Sequence, residues 1–156
     1  MWDECVRFAG QLQERLGRAA GVVRLPHEDE WEYACRGGKG NGTPYYFGSS
    51  CNGMEGNCFG AQPFPYHILA RGPILNRPTA VGSYAKAAPH PWGQCDMGFN
   101  VREWCENPFA KDSEDVTTRG GVYCSPAWTS RSATRGATKP SERNSDVGFR
   151  VALVPR

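Results

Sequence analysis

Apolar residues near the start of the chain fall into two helical patterns. Trp2, Cys5, Phe8, Ala9, Leu12 and Leu16 recur at spacings of three and four, with Gln11, Glu14 and Arg15 on the opposite side. That period predicts an amphipathic helix over 2–16, ended near Gly17 or Gly21. Residues 22–25 (VVRL) form a short extended link closed by Pro26. A second helix is predicted over 27–35, where the acidic residues Glu28, Asp29 and Glu30 complement the helix dipole. Trp31, Ala34 and Cys35 share one face of it, and Gly37-Gly38 ends it. From 39 to 91 no helical period survives. Gly, Asn and Pro punctuate aromatic pairs such as Tyr45-Tyr46 and Phe64-Pro65-Tyr66, which predicts coil pinned by buried rings. Residues 80–84, 101–104 and 147–154 read as strands. No repeat or linker interrupts the pattern, so residues 1–156 are expected to form one domain.

Composition narrows this picture. The chain has 19 Gly and 12 Pro in 156 residues, too many for a helical bundle. With 39% hydrophobic residues and five Trp, six Tyr and seven Phe, disorder is excluded as well. One loop-rich α+β domain remains.

The net charge of +2 hides an asymmetry: residues 117–156 hold seven Lys/Arg against Glu142 and Asp146. Two readings stand side by side. The basic end is an anion-binding face, or its arginines tie irregular loops together through backbone carbonyls. Aromatics do not interleave with these arginines, so a nucleic-acid partner is not expected.

The seven cysteines are odd in number and contain no CxxC, and no His stands at zinc-finger spacing, which argues against structural zinc. No apolar leader and no membrane-length span is present, so the expectation is a cytoplasmic protein with mostly reduced thiols and no membrane partner.

Several phrases then occur in a telling order. Arg24-Leu25-Pro26 runs into Glu30-Trp31-Glu32-Tyr33-Ala34, and Pro78-Thr79-Ala80-Val81-Gly82-Ser83-Tyr84 leads to Asp96-Met97-Gly98-Phe99-Asn100-Val101-Arg102-Glu103-Trp104. Arg119-Gly120-Gly121, Arg131-Ser132-Ala133, Arg143 and Gly148-Phe149-Arg150 follow. In this order they resemble the formylglycine-generating enzyme, or sulfatase-modifying factor, family across nearly the whole chain. The resemblance implies a variant of the C-type lectin fold: two helices, a small twisted antiparallel sheet and long ordered loops. In the family a strand-bearing section precedes the helix that matches Trp2 onward. Its lack here implies a truncated form, or a partner chain or self-association that completes the sheet beside 151–154, because an open edge invites pairing.

The resemblance also bears on chemistry. The family's oxidases bind copper through two cysteines after the Gly-Gly motif, because soft thiolates select Cu(I). Those positions fall on Ser125 and Ser130, so copper is not expected. The alternative is a copper-dependent, formylglycine-forming oxidase in which a register slip makes Cys124 a ligand. A structural Ca²⁺ is implied at Asp96 and Glu103, with the carbonyls of Phe99 and Val101, a hard-oxygen set suited to calcium. The competing reading makes Asp96 a turn acceptor and pairs Glu103 with Arg102 or another arginine. Phe99 stands where the family turn has Gly and would be strained at positive φ. His27 replaces the Thr that would cap the second helix and pair with Glu30 in a capping box.

Where the oxidases place their site, Val122, Tyr123, Cys124, Ser125, Trp128, Thr129, Thr134, Gly136, Ala137 and Thr138 are small, chemically mixed and without amphipathic period. The first reading is therefore a non-catalytic domain that binds a protein or other ligand there, with Tyr123 and Trp128 as aromatic anchors. The layout also resembles the variable proteins of diversity-generating retroelements, which diversify this stretch while keeping the RSA and GFR skeleton.

Overall fold

The computed structural model describes residues 1–17, 19, 21–38, 40 and 42–155. Helix α1 runs over Trp2–Leu16 and ends at Gly17, whose φ of 74° lets the chain turn away. Cys5 and Ala9 are buried, but Phe8 and Leu16 remain half exposed. Phe8 meets Phe149 edge-on at 5.3 Å. The Trp2 indole donates to the Cys105 carbonyl at 2.8 Å, which moors α1 to the sheet.

Strand β1 (Val22–Arg24) pairs antiparallel with β6 (Ala152–Val154), Val23 opposite Leu153. The Val23 N–H donates to Gln13 at 2.8 Å, so α1 covers that edge of β1. Among the described residues β6 pairs with β1 alone, and Val151 and Leu153 stay well exposed.

Helix α2 (Glu28–Cys35) is capped as a box with an unusual member. His27 Nδ1 accepts the Asp29 N–H at 3.3 Å, while Glu30 accepts the His27 N–H at 2.8 Å. An imidazole nitrogen thus takes the place of a Ser or Thr hydroxyl. Trp31 and Cys35 bury the inner face, and Gly37 and Gly38, both at positive φ, end the helix.

A second sheet has the order β4-β3-β2-β5, built from β2 (Arg102–Pro108), β3 (Val116–Arg119), β4 (Arg135–Thr138) and β5 (Val147–Phe149). It is mixed rather than antiparallel throughout: β5 runs parallel to β2, Glu103 opposite Gly148. The expected strand over 147–154 is therefore two strands in two sheets, broken where Arg150 turns inward to Glu103. The strand expected over 80–84 is a turn instead. Gly82 takes φ 79°, and Ser83 bonds back to the Ala80 carbonyl through both its N–H and its hydroxyl.

All of β3 is buried, and its Val and Thr side chains suit a pleated, enclosed strand. Their hydroxyls are satisfied: Thr117 donates to the Pro108 carbonyl at 3.2 Å, and Thr118 meets Thr138 at 3.3 Å.

The coil between α2 and β2 is pinned as expected at Tyr45 and Tyr46, both buried, but not at Tyr66, which is largely exposed. Tyr45 stacks on Phe47 at 5.1 Å, and both stack on Phe99. Phe99 does not take the strained conformation. Asn100 carries the positive φ of 73°, leaving Phe99 free to bury its ring against Gly56.

Candidate functional site

Arg119 anchors the chain that leads into the candidate site. It is almost fully buried, yet its guanidinium meets Glu32 at 2.7 Å and Glu28 at 3.6 Å, lies over the Trp31 ring, and donates to the carbonyls of Ser132 and Thr134. A charge at that depth persists only with such partners. Gly120 then turns at φ 84°, and Gly121 passes so close to Ser130 that any Cβ would stand 2.2 Å from its hydroxyl. The Gly-Gly pair is thus required by the turn and by the contact, and it fixes where segment 122–134 begins.

That segment, a 3₁₀ turn over Ala127–Ser130 and β4 together wall a cavity of about 300 Å³. Val122, Cys124, Ser125, Trp128, Thr129, Thr134 and Gly136 line it, joined by Arg102, Arg135 and Asp146. Val122 contributes as a buried wall, while Cys124 and Trp128 are exposed at the opening. Three expected positions lie outside it. Tyr123 reaches Ser145 at 3.4 Å, Ala137 is in β4 opposite Thr117, and Thr138 is buried in the sheet.

Arg102 and Asp146 form a 2.8 Å ion pair in the wall, and the Arg102 Nε is buried without a partner. The Ser125 carbonyl accepts the Phe59 N–H at 2.9 Å, which ties this wall to the long coil.

Copper does not fit these residues. Cu(I) favours soft thiolates, and the cavity wall holds one sulfur, that of Cys124. Ser125 lines the cavity, but Ser130 is buried beside Gly121 and its hydroxyl lacks a partner. Burial pushes the Cys35 thiol up to about 11 and the Cys105 thiol up to about 12, so neither is a thiolate near neutral pH. Among the described residues no three His, Cys, Asp or Glu side chains stand together as a metal cluster.

The residues implied for calcium do gather, since Asp96, Phe99, Val101 and Glu103 line one cavity of about 330 Å³. As arranged, the donor set does not fit the ion. Glu103 Oε2 accepts the Trp31 indole N–H at 2.6 Å, and both Glu103 oxygens accept from Arg150. The same guanidinium would repel a cation beside it. Asp96 accepts the Gly82 N–H at 2.9 Å as a turn acceptor.

Sequence reading missed Asn100, whose side chain accepts from Asn57 and from the Thr79 N–H and donates to the Thr79 carbonyl. Its position in the Asn100-Val101 phrase was visible; a buried side-chain link to 57 and 79 was not.

The basic C-terminal segment is tied down. Arg119 and Arg135 meet Glu28, Arg143 meets Glu4, Arg150 meets Glu103, and Arg131 donates to the Trp128 carbonyl. The charge asymmetry of the sequence is largely an internal pairing between its two ends. The described helices include none long and apolar enough to cross a membrane.

This architecture has relatives. The chain is 30% identical to the formylglycine-generating enzyme of Streptomyces coelicolor over 97% of its own length and 50% of that protein's. Its fold matches PvdO from Pseudomonas aeruginosa with a TM-score of 0.73 at 26% identity, covering 96% of this chain and 58% of that one. Treponema denticola variable protein 1 shares the fold at a TM-score of 0.67 and 23% identity, covering 85% of this chain and 48% of the other. The chain spans between a fifth and a half of the length of the curated relatives it matches. Residues 1–154 match the sulfatase-modifying factor enzyme 1-like domain, and the chain belongs to that family.

Proposed function

We propose that this domain binds a ligand without transforming it, in the cavity between segment 120–136 and the Arg102–Asp146 pair. One observation carries the reading. Seven of the ten positions singled out in the sequence line a single cavity, with an exposed Trp128 at its opening and serines where the family's oxidases need thiolates. Trp128 supplies a rigid amphipathic anchor, and the hydroxyls of Ser125, Thr129 and Thr134 supply adaptable polar contacts.

The test has two arms. Incubation with Cu(I), oxygen and a Cys-x-Pro-x-Arg peptide is expected to leave the peptide thiol intact by mass spectrometry; formylglycine formation would overturn the reading in favour of an oxidase working through Cys124. In the second arm, a peptide library is screened for protection of Cys124 from a thiol reagent. Selective protection that is lost in Trp128→Ala supports the cavity as the binding site.

The kinship to variable proteins has its own support. Arg135 and Arg143 of the skeleton bond across the molecule through their side chains, to Glu28 and Glu4. The interleaved hydroxyls of Thr129 and Thr134 bond only to nearby carbonyls, at Pro126 and Trp128. Such positions tolerate exchange. A near-copy of the codons for 119–150 close to the gene, differing at adenines, is the expected DNA signature, and its absence removes this second reading.

A further inference from the structure

None of the seven cysteines is paired in the structure, but two of them share one cluster of the core. Cys51 and Cys58 are both buried in one apolar cluster with Tyr45, Phe99 and Ala127. The chain between them doubles back on itself. A methyl group at Gly53 would stand 2.9 Å from the Gly60 Cα, so the arms that follow the two cysteines touch backbone to backbone. Each arm is also fixed from outside. Cys51 exchanges two 2.8 Å backbone bonds with Phe64, while Asn57 accepts from the Asn100 N–H at 3.0 Å and Phe59 donates to Ser125.

We propose that Cys51 and Cys58 are an oxidisable pair that closes the 51–58 loop as a disulfide. The reaction balances with a low-molecular-weight disulfide such as oxidised glutathione. The two thiols give up two electrons and two protons, an S–S bond forms between Cys51 and Cys58, and the glutathione disulfide is reduced to two thiols. Contact with Cys58, together with burial, pushes the Cys51 thiol well above its ordinary range, so exchange runs through transient opening of the loop rather than in the shut state. The bond would brace the Phe59–Ser125 contact from behind. That is the place where the loop holds the cavity wall.

The test is oxidation of the intact protein by oxidised glutathione, then alkylation of remaining thiols and cleavage after Glu55, which lies between the two cysteines. The expected product is a pair of peptides holding Cys51 and Cys58, joined until a reductant is added and two hydrogens lighter than the free thiols. Exposed Cys124 takes up glutathione as a mixed disulfide and is counted separately. Closing so short a loop is expected to raise the Tm of oxidised over reduced protein by roughly 5 °C, a rise absent in Cys51→Ala. Alkylation of both cysteines after oxidation, or their linkage to other partners, would overturn the proposal on the wild-type protein alone.

Discussion

Glu103 and Arg150 form a two-pronged ion pair, Nε to Oε2 at 2.5 Å and Nη2 to Oε1 at 2.7 Å. The pair joins β2 to the segment between β5 and β6, and the Trp31 indole binds the same carboxylate from α2. Three elements distant in sequence thus converge on one side chain. Burial works against the Arg150 charge, but the Glu103 carboxylate outweighs it and holds the guanidinium above its ordinary range. The Gly-Phe-Arg motif is therefore a structural clasp here, and its partner is the acidic residue that the family resemblance assigns to calcium.

From this follows a joint expectation for metal removal and mutation. EGTA should leave the Tm unchanged in protein first equilibrated with calcium. Glu103→Gln should lower stability by about 3 kcal/mol, since it strands a largely buried guanidinium. A fall in Tm with EGTA would show that calcium, not Arg150, holds the carboxylate.

A second ion pair carries a pH dependence of its own. Arg24 donates two 2.7 Å bonds to Glu30, and these, with the His27 N–H, hold its carboxyl down at about 2. A carboxyl depressed by folding stabilises the fold above its unfolded pKa, and that contribution is lost as pH falls through the folded value. The stability gap between wild type and Glu30→Gln should thus be constant above about pH 5 and shrink toward pH 2. The pair is half exposed, so the gap should stay under about 1 kcal/mol. Urea titrations across that range measure it, and a gap independent of pH would refute the assignment.

Helices α1 and α2 were legible because their signals are local, apolar spacing and a glycine stop, and the start of β2 was legible in the short apolar phrase around Val101 and Trp104. The 80–84 and 147–154 segments misled because short apolar stretches look alike whether they pair or turn. Gly82 and Arg150 decided between those outcomes through contacts with Asp96 and Glu103, which lie far off in sequence. The cavity was legible in its residue types but not in its extent. Arg102 and Asp146 enter from two other segments, while along β4 Ala137 faces solvent and Thr138 is buried in the sheet, so neither lines it.

The imidazole cap of α2 offers a clean substitution series. His27→Ala removes the acceptor for the Asp29 N–H and should cost about 1 kcal/mol. His27→Asp supplies a carboxylate at the positive end of the helix and should restore or exceed wild-type stability. Denaturant unfolding of the three proteins checks the order; equal stabilities would mean that the ring nitrogen caps nothing.

Arg119 and Trp128 separate what builds the cavity from what faces it. Arg119 is 2% exposed and Trp128 39% exposed, although both belong to the wall-forming segment and its root. Arg119→Met leaves Glu28 and Glu32 without their buried partner and should destabilise the domain by about 3–5 kcal/mol, with Cys124 losing any ligand protection because the wall unfolds. Trp128→Ala removes a half-solvated ring and should change stability by less than about 1 kcal/mol. Ligand protection of Cys124 should nevertheless fall at least tenfold, the loss expected when an aromatic anchor is truncated. Thermal melts and thiol-labelling rates on the same samples give both readouts. A Trp128→Ala protein that melts like wild type and still shields Cys124 would move the binding surface away from this cavity.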